Sequence, residues 1–500
     1  MNLETYRQKL LGCWMGKNIG GTLGAPFEWY RGINDVTYYT QELSGNPLPN
    51  DDLDIQLLWL VMLEEQGIEV NAALMAEYWQ HFVTPHWAEY GNAKINLQGG
   101  LQPPYSGIRN NYFKDSCGAF IRSEIWACIA PGNPQLAATY AYEDASIDHG
   151  DGEGMYAEIF TAVMESAAFV INDPKKLIDI GLSYIPADCG IAGAVRLAVT
   201  LYDEGKTWLA ARDEMLRQFR GSAFYNNINR VAQADIDKGF ADGKLGWDAP
   251  SNIGILVMGL LYGEGDFDKS LCVAVNCGED TDCTGATIGA LFGIMHGIEA
   301  IGEKWITPIG RSIKTACLNL GELGYFGNQL PQNIDELTHR TEAIMRKVAA
   351  FHPLPVEIPA TEAKPVNPES LYKRKDALPQ INKAASRHKF PLFDITVEHL
   401  TGPGMHIDNP AKIKVTVTNK YRVQAGLTLR WYQPDGWKIS PAPEIKSYVR
   451  PNGWDDPFAT HTFTFTPPEH PTATNRFMLE VTVDGRATVM PVPVVLYVEG

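Results

Sequence analysis

Apolar residues recur at spacings of three and four in IQLLWLVMLEEQG (55–67), AEIFTAVMESAAFVI (157–171), GAVRLAVTLYDEG (193–205) and NIGILVMGLLYGEG (252–265). Each run closes on a glycine or a polar turn, so the pattern predicts an all-α domain over residues 1–350. The pattern changes at FHPLPVEIPATEAKPVNPESLYKRKDALPQ, whose prolines and charges favour an extended linker or a surface wrap, assigned to residues 351–385. From about Phe390 the period becomes two, in FDITVEHL, KIKVTVTNK, GLTLRWYQ, HTFTFTP, FMLEVTV and VPVVLYVEG. About seven short strands predict a small immunoglobulin-like β-sandwich over residues 386–500, read as an accessory module because it holds no obvious catalytic cluster.

One feature of the helical part runs against helix propensity. Gly12, Gly16, Gly20 and Gly24 repeat at a spacing of four, and Gly285, Gly289, Gly293 and Gly297 echo them. Each glycine costs about 1 kcal/mol relative to alanine, so tight packing must offset several such terms. A strip of bare backbone permits close helix-helix approach, and two such helices are expected to cross near one site.

Charge and composition narrow the functional classes. The net charge is −17 with no lysine- or arginine-rich run, which argues against a nucleic-acid partner. The start, MNLETYRQKLLGCWMGKN, lacks a basic segment followed by a continuous apolar core, so no secretory signal is expected. The most apolar stretch, Gly285 to Ile301, is broken by His296 and Glu299 and is short of the roughly 20 residues that cross a membrane. Cysteines at 13, 117, 128, 189, 272, 277, 283 and 317 show no C-x-x-C spacing and read as reduced thiols, which points to a cytoplasmic setting.

Acidic side chains collect in three places: Glu28 after the first glycine stripe, Asp51, Asp52 and Asp54 in NDDLD, and Asp280 with Asp282 in GEDTDC. The last two groups each precede an apolar helix, and either alone also suits capping and a favourable helix dipole. Together they ask for a cation, because neighbouring aspartates repel and carboxylate, amide and hydroxyl oxygens suit hard divalent ions. GCWMGKN has neither P-loop spacing nor its following Ser or Thr, and H-E-x-x-H and G-x-S-x-G are absent. The aromatic-rich pieces 77–92 and 101–113 suit either a stacking cleft or a core.

The order GGTLGAPFE (20–28), NDDLD (50–54) and GEDTDC (278–283) resembles the ADP-ribosylglycohydrolase family, whose motifs are G-D-x-L-G-x-P-x-E, [ST]-D-D-T and G-G-D-T-D-[TC]. The resemblance implies an all-α metal-dependent hydrolase acting on a small-molecule or protein-linked glycoside. Asn50, Asp51, Asp52, Asp280, Asp282 and Cys283 would hold one or two Mg2+ ions, with Mn2+ as an alternative. Glu28 or Asp52 would be the catalytic base. SCGAFIR places Ser116, Cys117, Gly118 and Ala119 at the family's substrate loop, and His149 and Asp54 join them as substrate-binding residues. The implied reaction is hydrolysis at the anomeric carbon of ADP-ribose or a related ribosyl group; another sugar on the same fold, or a silent ADP-ribose or glycan binder, are the rival readings. The chain departs from the motifs at Gly21, Asn50 and Leu53, and Cys283 stands at a position where threonine is the usual ligand. Leucine cannot bind magnesium, a thiol is a poor partner for it, and Asp54 and Thr284 are the neighbouring oxygens that could compensate.

Overall fold

Bare backbone on two helices sets the architecture. In the computed structural model, which describes residues 1–28, 30–221, 230–240, 249–318, 329–358, 365–373 and 384–499, the glycine stripes lie on helices Leu3–Gly24 and Thr281–His296. They run antiparallel, with Gly12 against Gly293, Gly16 against Gly289, Gly20 against Gly285 and Gly24 against Thr281. A Cβ added at Gly16 or Gly20 would lie 2.0 or 1.9 Å from the facing carbonyl oxygen, so no side chain fits between the two backbones. Asn2 caps the first helix by accepting the Thr5 N–H at 2.7 Å. Gly297, at φ 80°, ends the second in a conformation that glycine adopts without strain.

Helices Asp54–Gln66, Glu153–Ala168, Gly190–Asp203 and Ala249–Tyr262 match the four apolar periodic runs. Their buried residues join one core with Trp14, Trp59, Trp79, Trp126 and Trp305. The aromatic segment at 77–92 belongs mainly to this core, since Tyr78, Trp79 and Tyr90 are buried. Among the described residues no helix is long and apolar enough to cross a membrane.

The described parts of the proline-rich segment wrap back over the helices. The Glu357 N–H donates to Met1 O at 2.9 Å, Leu371 O accepts the Tyr184 hydroxyl at 3.0 Å, and the Tyr372 hydroxyl donates to Asp179 at 2.8 Å. Residues 359–364 and 374–383 of that segment lie outside the described residues.

The C-terminal region forms two five-stranded sheets over a shared core. One runs in the order 386–389, 393–399, 411–419, 458–466, 438–440; the other in the order 404–406, 489–499, 474–483, 425–432, 444–449. Two sheets are present where a sandwich is expected, but an immunoglobulin-like topology is not shown. The strands Ser386–Lys389, Gly404–His406 and Lys438–Ser440 are too short to display a period of two, which is why alternation alone underestimates the strand number. The region docks on the helices through Leu101, Tyr105 and Val495, with the Tyr105 hydroxyl donating to Ala384 O and accepting the His399 N–H, each at 2.7 Å.

Because the contact between the glycine helices is backbone on backbone, Gly20→Ala is expected to destabilise the protein by about 3 kcal/mol, the upper end for overpacking. Urea unfolding checks this: the midpoint falls, and an unchanged midpoint would show that the two helices can part without cost.

Candidate metal centre

The glycine zipper ends where the acidic residues begin. Gly24 meets Thr281, whose hydroxyl donates to Gly24 O at 2.8 Å, so the turn carrying Glu28 is held beside the helix start carrying Asp280 and Asp282. Ligand atoms of Glu28, Asp280 and Asp282 lie within 4.8 Å of one another, and so do those of Asp52, Asp282 and Cys283. Asp282 is common to both groups. Asp52 and Asp282 are 2% and 4% exposed, whereas Glu28 and Asp280 are half-buried, so the centre has a deep side and an open side.

Asn50 and Asp51 flank this pair of groups. Asn50 Oδ1 accepts the Asp52 N–H at 2.7 Å, and its Nδ2 lies 2.4 Å from where a Cβ on Gly21 would sit. The substitution at Gly21 thus makes room for the asparagine at 50. Asp54 does not converge with these groups. Its Oδ2 instead accepts the N–H groups of Ala316 at 2.6 Å, Leu318 at 3.3 Å and Cys317, tying down that loop.

Removal from water and mutual repulsion dominate the electrostatics. Burial, with Asp280, Asp51 and Asp52 nearby, pushes the Glu28 carboxyl up to about 9. Burial also raises Asp51 to about 6 and lifts Asp282 well above the ordinary range. Asp52 is raised by burial too, although the Lys17 ammonium opposes the shift. Lys17 is 1% exposed and pairs with Glu124 at 2.8 Å, so it supplies fixed positive charge beneath the carboxylates. That does not satisfy them: both Asp52 oxygens and Asp280 Oδ1 are buried with no hydrogen-bond partner among the described residues. Buried polar atoms are rarely left so, and a divalent cation fits this donor set.

The loop carrying Asp280 is clamped from behind. Glu279 sits at φ 70°, a left-handed conformation unusual for a side chain of its size. Its carboxylate accepts from Arg31 Nε at 2.8 Å and from Arg220, and Asp235 joins Arg220 at 3.2 Å and Arg212 at 2.7 Å. The two guanidinium groups outweigh burial and hold Glu279 down at about 2. Asn252 braces the same turn by accepting the Asp280 N–H at 3.2 Å.

The substrate-loop candidates form a second cluster beside the centre. Ser116, Cys117, Gly118 and Ala119 are buried. Ser116 Oγ lies 3.0 Å from Nε2 of His149, which is fully enclosed. His149 Nδ1 is 2.9 Å from Asp148 Oδ1, and Arg122 anchors that carboxylate at 2.7 Å. Cys117 Sγ accepts from Asn252 Nδ2 at 3.4 Å, which links this loop to the Asp280 turn. Glu89, buried and raised to about 7 chiefly by burial, packs where a Cβ on Gly118 would be, with Oε1 2.0 Å from that position.

Lys17, Glu89, Asn252 and the Arg31, Arg220 and Glu279 clamp are absent from the sequence-derived set. Their partners are distant along the chain, and only Glu279, at the second glycine of a G-G-D-like motif, carried a signal.

The profile of a family described as ADP-ribosylglycohydrolase matches residues 2–341. The chain therefore belongs to the ADP-ribosylglycohydrolase family. A protein of Archaeoglobus fulgidus described as "Uncharacterized protein" is 24% identical over 321 residues, covering 60% of this chain and 90% of that one. A solved structure titled "ADP-ribosylglycohydrolase-related protein complex" is 18% identical, with a TM-score of 0.44 over 69% of this chain and 99% of its own. A FixG-related protein from Vibrio parahaemolyticus is 9% identical, with a TM-score of 0.19 over 22% of this chain and all, 100%, of its own.

Two expectations follow. Glu28 and Asp51 hold protons more tightly folded than unfolded, where carboxyls titrate near 4, so without a cation stability declines as pH rises from about 5 towards 9. Melting curves in EDTA should show this decline, and a divalent cation should flatten it; identical curves with and without the cation would argue against the centre. Glu279→Ala leaves the Arg31 and Arg220 guanidinium groups without their shared carboxylate and should cost about 3–5 kcal/mol in denaturant unfolding.

Proposed function

We propose that the helical domain is a cation-dependent hydrolase of a glycosidic bond at the anomeric carbon of ADP-ribose or a related ribosyl group. The observation carrying this is the convergence of Glu28, Asp52, Asp280, Asp282 and Cys283, with buried Asp52 oxygens left unsatisfied, in a chain of this family. Asn50, Asp51, Asp52, Asp280, Asp282 and Cys283 would hold the cation. When bound, the ion polarises the sugar hydroxyls and the water at the site.

Glu28 fits the role of general base better than Asp52. It is half-buried on the open side, whereas Asp52 lies on the deep side above Lys17. With the repulsion of its neighbours relieved, the Glu28 carboxylate takes a proton from the attacking water, and a second carboxylate stabilises oxocarbenium-like charge. Ser116, Cys117, Gly118 and Ala119 line the sugar side of the site. His149, being enclosed, holds the Ser116 hydroxyl in place and meets the substrate only through it.

A second reading, another sugar or nucleoside on the same fold, is favoured by one observation: Asn50 fills the space beside Gly21, where the family has an aspartate, so the open side has a different polar lining. A panel of ADP-ribosylated protein, nitrophenyl glycosides and nucleosides, assayed with and without EDTA, separates the two. Glu28→Gln should lower kcat by roughly two to four orders of magnitude with the metal affinity largely retained. EDTA-insensitive turnover would refute cation dependence, and no turnover combined with thermal stabilisation by ADP-ribose would make the domain a binder.

A further inference from the structure

The deep side of the centre has a donor set unlike that of a magnesium site. Asp52 and Asp282 carry hard oxygens, but the third donor within 4.8 Å of both is the Cys283 thiol. The two hard-oxygen side chains next in sequence to the departures from the family motifs are each tied to the backbone. The Thr284 hydroxyl donates to Asp280 O at 2.9 Å, and Asp54 Oδ2 accepts three backbone N–H groups of the 316–318 loop. Leu53 offers no donor. Asp52, 2% exposed, meanwhile has two oxygens without partners among the described residues, one of them within 4.8 Å of the Asp282 and Cys283 donors.

Magnesium sheds water reluctantly and binds oxygen in a near-ideal octahedron, so a buried thiol next to it would be wasted. Thiolate ligands select ions from the later part of the first transition row. We propose, resting on the metal-centre reading above, that Cys283 is a thiolate ligand and that the deep position takes a borderline-soft divalent transition ion of the cobalt-to-zinc kind in preference to Mg2+. Binding exchanges one S–H bond for one S–metal bond: the sulfur lone pair goes to the ion, one proton leaves to solvent, and no electron transfer is involved. The open side keeps an all-oxygen set in Asp280 and Asp282, with Glu28 beside them as the base.

Cobalt(II) reads this out without reference to activity. The full-length protein, stripped with chelator and titrated with Co2+ alone, should develop a near-ultraviolet sulfur-to-cobalt charge-transfer band together with visible ligand-field bands. In Cys283→Ser the charge-transfer band should vanish while the visible bands persist. Cys283→Thr, a second variant in case serine impairs folding, should behave likewise and reduce the preference for Co2+ over Mg2+ by roughly tenfold. Cys117→Ser and Cys317→Ser should retain the band. Cobalt bound by calorimetry without a charge-transfer band in the wild-type protein overturns the thiolate assignment and leaves the metal centre standing. A band that follows Cys117 or Cys317 also overturns it. If neither Co2+ nor Mg2+ binds, the metal-centre reading itself fails and this proposal with it.

Discussion

Backbone-to-backbone contact between the two glycine-striped helices is the constraint on which the rest of the structure depends. Helices whose facing residues carry side chains keep their axes about 8–10 Å apart. Here carbonyl oxygens occupy the places where β-carbons would be, from Gly12 against Gly293 to Gly24 against Thr281. The poor helix propensity of these glycines is tolerated because this contact is made along the first helix from Gly12 to Gly24. Its functional consequence lies at one end, where Glu28 and the Asp280 turn are brought together although some 250 residues separate them.

Concentrating carboxylates there is costly, and the surroundings answer the cost in three ways. Lys17 lies beneath Asp52 as a permanent counter-charge. Arg31 and Arg220 hold Glu279, so the turn presenting Asp280 keeps its shape despite a strained backbone. The remaining unsatisfied oxygens call for a cation, which would lower the repulsion that, added to burial, now raises Glu28 and Asp282. A rigid scaffold around an electrostatically frustrated cluster is the arrangement expected of a functional site.

The β region adds contacts but no acid cluster among its described residues. It meets the helical domain at Leu101 and Tyr105, and the short helix beginning at Tyr105 packs its Gly107 against the backbone around His149. The docked sheets therefore support, at one remove, the loop that positions Ser116.

Much of this was legible from residue order. Periodicities of 3.6 and 2 separated the helical from the β part because each reports which face of an element is buried, and that depends on neighbours along the chain. Motif order put Glu28, Asn50 to Asp52 and Asp280 to Cys283 forward as one centre, of which Glu28, Asp52, Asp280, Asp282 and Cys283 converge, and glycine spacing announced a close helix pair. Three things were decided only by tertiary structure. Asp54 and Thr284 look like ligands in sequence, but Asp54 Oδ2 accepts backbone N–H groups and the Thr284 hydroxyl donates to a backbone carbonyl. Short strands such as Gly404–His406 exist only because a longer neighbour supplies their hydrogen bonds. Lys17, Asn252 and the arginine clamp matter through distances between residues far apart in the chain. Sequence spacing carries what a residue does to its neighbours along one element, whereas charge compensation and hydrogen-bond occupancy act through space, and the fold alone sets those distances.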